Sequence, residues 1–71
     1  MSFSKEEKIC MQIIESNLSS FNYGKRKGIL SVKYVVDGGN RAEIYKDEKL
    51  LLNVTIDQAM FAIAAIIRYQ E

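Results

Sequence analysis

The sequence predicts an α+β domain in the order helix, three-stranded antiparallel meander, helix (α-β-β-β-α), with both helices on one face of the sheet. Three observations predict it. Capping signals at Ser4 and Thr55, each followed three residues later by Glu or Gln, precede apolar runs with helical spacing. Between the two runs lie three short segments rich in Val, Ile, Leu and Tyr, with apolar and other residues alternating. The turns between these segments are a few residues long, too short for a crossover, so sequential strands must pair antiparallel.

In the first helix, Ser4 and Glu7 have the spacing in which the hydroxyl satisfies the N3 amide and the carboxylate returns to the cap amide. Ile9, Cys10, Ile13, Ile14, Leu18 and Phe21 then recur at i, i+3 and i+4, opposite Lys5, Lys8, Gln12, Glu15 and Ser19. Ser19, Ser20 and the stretch Asn22 to Gly24 should end the helix. A basic loop, Gly24-Lys25-Arg26-Lys27-Gly28, leads into a β-branched strand at residues 29–36. Asp37-Gly38-Gly39-Asn40 is a turn signal, because Gly and Asn tolerate positive φ.

The chain returns through residues 41–45, turns at Lys46-Asp47-Glu48-Lys49 and makes a third strand at residues 50–54. Thr55 and Gln58 repeat the capping-box spacing, with Asp57 in the first turn where the helix dipole favours a carboxylate, and the second helix should reach about Arg68. Period-two alternation assigns Leu30, Val32, Tyr34, Val36, Ala42, Ile44, Leu50, Leu52 and Val54 to the face under the helices. Ile29, Ser31, Lys33, Val35, Arg41, Glu43, Tyr45, Leu51 and Asn53 fall on the open face. With no proline, linker or repeat, residues 1–71 read as a single domain.

Composition narrows the function classes. The chain is 48% hydrophobic and 27% charged, a globular balance, yet a chain this short buries only about 60% of its unfolded surface, so a partner or second copy would add stability. The single Cys10 excludes an internal disulfide, and no signal core or stretch of roughly 18 apolar residues is present. These features point to a cytoplasmic protein without a membrane span.

Catalysis is not expected. With no His there is no side chain of suitable unperturbed pKa for proton transfer, and the commonest metal ligand is missing. Cys10 lies on the apolar side of helix 1, where a thiol acts as a small hydrophobe. The carboxylates lack calcium-loop or zinc spacing, and neither the dinucleotide fingerprint nor the P-loop pattern occurs. No metal or cofactor is expected.

Two features remain as candidate sites. The net charge is +1, but residues 16–36 contain four basic residues and no acidic one. In the loop at 24–28, flexible glycine flanks let backbone amides approach an anion while Lys25, Arg26 and Lys27 neutralise it and Tyr23 stacks on a base. Lys33, Arg41 and Tyr45 would extend that patch across the open sheet face. The bland reading is a solvated turn.

The second feature is a helix 2 that is apolar nearly all round. With Ile56, Ala59, Met60, Ile63, Ile66 and Ile67 toward the sheet, Phe61, Ala62, Ala65 and Tyr69 lie on another side together with Ala64. Either helix 1 covers that flank, or it is an interface in which small alanines permit close approach and Phe61 and Tyr69 act as anchors.

The element order, at this length and with an alanine-rich second helix, resembles the topology of double-stranded RNA-binding domains. In that family the second helix opens with a lysine cluster that contacts phosphates. Residues 55–59 here are Thr-Ile-Asp-Gln-Ala, acidic instead of basic. The resemblance therefore implies the architecture and not RNA binding.

The sequence as a whole predicts a small binding protein acting through protein–protein contacts as a homo-oligomer, an adaptor, inhibitor or sequestering module, with the apolar flank of helix 2 (Phe61, Ala65, Tyr69) or the open sheet face as its interface. The alternative is an anion-binding module that holds a nucleotide, a nucleotide signal or nucleic acid through the basic loop.

Overall fold

The first helix, α1, spans Lys5–Asn22 and begins where the capping box puts it. Ser4 Oγ accepts the Glu7 amide at 3.0 Å, and Glu7 Oε1 accepts the Ser4 amide at 2.7 Å. Two amides that the helix ladder leaves without partners are thereby satisfied. In this computed structural model, which describes residues 3–36 and 39–70, the chain continues through β1 (Leu30–Val35), β2 (Arg41–Lys46) and β3 (Lys49–Thr55) to α2 (Ile56–Gln70). The strands form one antiparallel sheet in the order β1-β2-β3. Both helices lie on the same face, α1 over β1 and α2 over β2 and β3, and they pack against each other.

The core is the meeting of those layers. Ile14 and Leu18 from α1, Leu30 from β1, Ala42 and Ile44 from β2, and Ile56, Ala59 and Ile63 from α2 are buried together. Cys10, Phe21, Met60, Ile66 and Ile67 pack around them as partly buried neighbours. The helical and strand periodicities thus identify the inward rows of α2 and β2 and, in β1, Leu30, Val32 and Tyr34, whereas Val36, beyond the end of β1, and Leu52 of β3, both predicted on the covered face, are exposed. Cys10 holds the place expected of a small hydrophobe.

Two further expectations about the apolar faces are corrected. Ile9 and Ile13 were grouped with the core side of α1, but they are 50% and 42% exposed. A helix needs an apolar stripe of only about 100° to cover a sheet, and the arc of α1 is wider than that. Leu50 was assigned to the covered face, whereas a register shift in the β2–β3 ladder pairs Ile44 with Leu52 and Tyr45 with Leu50, so Leu51 is the extra residue of a bulge. Leu50 stands opposite Tyr45, in the open-face row, and is exposed. One inserted residue defeats a strict period of two.

The turns are held by specific contacts. Of the 37–40 turn only Gly39 and Asn40 lie within the described residues. Both have positive φ, 98° and 55°, and the Asn40 amide donates to the Val36 carbonyl at 3.2 Å. Asn40 Nδ2 also donates to Glu7 Oε1 at 3.0 Å, tying the start of β2 to the start of α1.

The β2–β3 connection is a two-residue hairpin in which Asp47 and Glu48 both have positive φ, 50° and 71°. That geometry favours Asn-Gly or Asp-Gly, and a glutamate in the left-handed region costs roughly 1 kcal/mol. Glu48→Gly is therefore expected to raise stability by up to about 1 kcal/mol in urea unfolding. A loss of stability would show that the Glu48 side chain contributes more than its backbone strain costs.

At the junction of α2, Thr55 Oγ1 donates to Asp57 Oδ1 at 2.7 Å. The side-chain pair that forms is Thr55 with Asp57, where the spacing had pointed to Thr55 with Gln58. This bond holds the Asp57 carboxyl below the usual carboxylate range, and amides of the first turn act in the same direction.

Candidate functional site

The basic loop follows the end of α1 and is held by bonds that its sequence does not announce. Asn22 places its side-chain amide against Leu30: Nδ2 donates to the Leu30 carbonyl at 2.7 Å, and the Leu30 amide donates to Oδ1 at 3.0 Å. The amides of Gly28 and Ile29 donate to the two oxygens of Asp47, at 3.0 and 3.1 Å, and the Asp47 amide returns a bond to the Ile29 carbonyl at 2.9 Å. The glycine-flanked loop does present backbone amides to an anion, and that anion is the chain's own Asp47. Lys25 is drawn back as well, its Nζ 3.8 Å from the centroid of the Phe21 ring. Arg26 and Lys27 are exposed, and Tyr23 is almost fully exposed beside them.

Of Lys33, Arg41 and Tyr45, Tyr45 stands opposite Ser31 at the loop end of the sheet, Lys33 lies midway and Arg41 at the far end. Arg41 pairs with Val35, at the far end of β1 from Leu30, so it lies about 16 Å along the strand from the loop. Its guanidinium is engaged with β3: Nε donates to Asn53 Oδ1 at 2.7 Å and Nη2 to the Asn53 carbonyl at 2.8 Å. Tyr45 donates its hydroxyl to Glu43 Oε1 at 2.8 Å, which pushes its ionisation above the usual tyrosine range. Lys33 stands directly opposite Glu43. On the open face Arg41 thus bonds across to β3, while the Tyr45 hydroxyl is held by Glu43 of its own strand.

Beside β1, a shallow cleft is lined by Lys8, Met11, Gln12, Glu15 and Tyr34. Tyr34 donates its hydroxyl to Glu15 Oε2 at 2.8 Å, and Phe3 meets the tyrosine ring edge-on at 6.2 Å. Burial and the Glu15 carboxylate raise the Tyr34 ionisation far above its ordinary value, so it stays a neutral donor. Among the described residues no group of His, Cys, Asp and Glu is placed to hold a metal ion, and no helix is long and apolar enough to cross a membrane.

The apolar side of α2 presents the other candidate. α1 does pack beside α2, but it covers the flank of Met60 and Ile67: Ile67 lines a depression shared with Asn17, Ser20 and Phe21 of α1. Phe61 remains 70% exposed and Tyr69 87% exposed, with Ala65 exposed between them at four-residue spacing. Ala62 is half-buried and packs against the core, so it belongs to the edge of that surface. Sequence reasoning missed Ile9 and Ile13 as part of the exposed apolar surface. The width of the α1 arc was the available signal for them.

No protein-family model, curated protein or solved structure matches this chain.

Proposed function

We propose that this chain is a small non-catalytic binding protein that works through protein–protein contact and self-association, with the outward surface of α2 as its interface. One observation carries the reading: α1 packs beside α2 and still leaves Phe61, Ala65 and Tyr69 in water at successive turns of the helix. Large aromatics exposed on one stripe cost solvation free energy in a free monomer and anchor an interface when buried. Small alanines between them let a partner backbone come close. A role as adaptor, inhibitor or sequestering module follows from having a surface to occupy and no catalytic group to offer.

Light scattering during size exclusion should give a mass above that of one chain. Phe61→Glu should return it to that of one chain with the circular dichroism unchanged, because the side chain lies outside the core. An unaltered oligomer in that variant would overturn the assignment of the interface to α2.

The alternative reading is an anion-binding module for a nucleotide, a nucleotide signal or nucleic acid. It is favoured by the exposed Tyr23 beside Arg26 and Lys27. Against it, the loop amides are already spent on Asp47, which leaves side chains alone to hold a phosphate. Replacing Lys25, Arg26 and Lys27 together with alanine is expected to leave both the solution mass and retention on a nucleotide and single-stranded DNA panel unchanged. A loss of measurable binding in that variant would make the anion reading the correct one.

A further inference from the structure

We propose that the partner on the helix layer is a second copy of this chain, docked about a two-fold axis perpendicular to the helices so that they run antiparallel across the interface. This rests on the self-association reading above and assigns its geometry, including a contribution from α1.

The two helices run parallel to each other within one chain. Their N-terminal ends lie together, since Glu7 bonds Asn40 and the next residue, Arg41, pairs with Thr55 at the start of α2, and their C-terminal ends lie together, where Ile67 adjoins Asn17, Ser20 and Phe21. Each helix carries an exposed stripe on its outer side. On α1, Glu6, Ile9, Ile13 and Ser16 recur at i, i+3, i+7 and i+10, and all four are exposed. On α2, Asp57, Phe61, Ala64 and Arg68 recur at i, i+4, i+7 and i+11, and these are exposed as well. Ile13 lies one turn before Asn17, on the flank that faces α2, so the stripes run side by side along the seam.

Each stripe begins with an acid and becomes apolar, and the α2 stripe ends on a cation. On α1, Lys8 and Gln12 line the cleft beside Tyr34, on the opposite flank, while Lys5 lies one turn before Ile9 and next to Glu6, so the charge gradient is carried by α2. The helix layer therefore has an apolar middle (Ile9, Ile13, Phe61, Ala64), and its α2 stripe has an acidic end (Asp57) and a basic end (Arg68).

Charge then selects the occupant and its orientation. Along α2 the acidic and basic ends lie about 16 Å apart, roughly twice the screening length at physiological salt, so each end interacts independently. An isologous contact brings the same patch to itself. If the two-fold axis ran along the helices, Glu6 and Asp57 would meet their own copies, like charge on like. With the axis perpendicular, α2 of one chain lies on α2 of the other and α1 on α1, so Asp57 of each chain meets Arg68 of the other at both ends of the α2 contact, and the two apolar middles are buried together. Ala64 and Ala65 let the layers approach to the 8–10 Å helix separation typical of packed bundles.

The test is a charge-exchange experiment with the full chain. Asp57→Lys and Arg68→Glu, each alone, should raise the dimer dissociation constant about tenfold or more, because each places like charges together twice. An equimolar mixture of the two variants restores opposite charges at both ends and should form a heterodimer with close to wild-type affinity, read by native mass spectrometry. A variant that merely misfolded would not be rescued by its mate. A wild-type dimer indifferent to both reversals would overturn this geometry while leaving self-association standing. A wild-type chain that stays monomeric at all concentrations would overturn both.

Discussion

Ile63→Ala is expected to lower the unfolding free energy by about 2–5 kcal/mol. Ile63 is fully buried and sits among Ile14, Ile44, Ile56 and Ala59, where α1, the sheet and α2 meet. Its truncation removes the transfer free energy of the lost carbons and leaves a cavity that surrounding elements fill only in part. A domain of this size has roughly 4–11 kcal/mol of stability, so this one change takes a large fraction of it. For a chain of this length that corresponds to a fall in the thermal midpoint of about 10–30 °C.

The informative control is Phe61→Ala, which removes a larger side chain. Measured at a concentration where self-association is absent, it should change stability by no more than about 0.5 kcal/mol. Comparable losses in both variants would mean that Phe61 is packed in solution, and would remove the interface reading along with the contrast.

Asn22→Ala is expected to cost about 2–4 kcal/mol in urea unfolding. Asn22 is a half-buried side chain that makes two bonds to one residue, donating to the Leu30 carbonyl and accepting from its amide. In doing so it acts as a strand partner for the first residue of β1, on the edge of the sheet that the described residues form. Removing it leaves a donor and an acceptor without partners next to a buried Leu30, each at a cost of about 1–3 kcal/mol when water cannot replace the bond.

Amide exchange localises this effect. The Leu30 amide should lose protection in Asn22→Ala while the amides of β2, the central strand, keep theirs relative to global stability. Asn22→Asp separates the two bonds, since it keeps the acceptor for the Leu30 amide but sets a carboxylate against the Leu30 carbonyl. It should be no more stable than the alanine variant. Wild-type stability in Asn22→Ala would show that water satisfies Leu30 and that the bridge is incidental.

These contacts also bear on function. Asn22 and Asp47 hold the basic loop from its two ends, and Asp47 fills the amide pair that an external anion would need. The loop is thus built as an internal clasp between the α1–β1 connection and the β2–β3 hairpin. Exposed apolar side chains remain on the helix layer (Ile9, Ile13, Phe61, Tyr69), the surface we propose as the interface, and on β3 (Leu50, Leu51, Leu52).

Features encoded within a few residues were legible in the sequence. The Ser4–Glu7 capping box, the meander order and the inward rows of α2, β1 and β2 all depend on local spacing, because helix and strand each repeat with a fixed period. The absence of His and the lone Cys10 likewise shaped the expected chemistry from composition alone. Only the tertiary structure decided which apolar residues are covered. Cys10 and Ile14 of α1 face the core while Ile9 and Ile13 of the same arc do not, because the position of α2 selects the part of the arc that is buried. The bulge at Leu51 and the capture of Asp47 by Gly28 and Ile29 were beyond the sequence for the same reason. They join residues distant along the chain, and local periodicity holds no information about which distant groups a folded backbone brings within hydrogen-bonding reach.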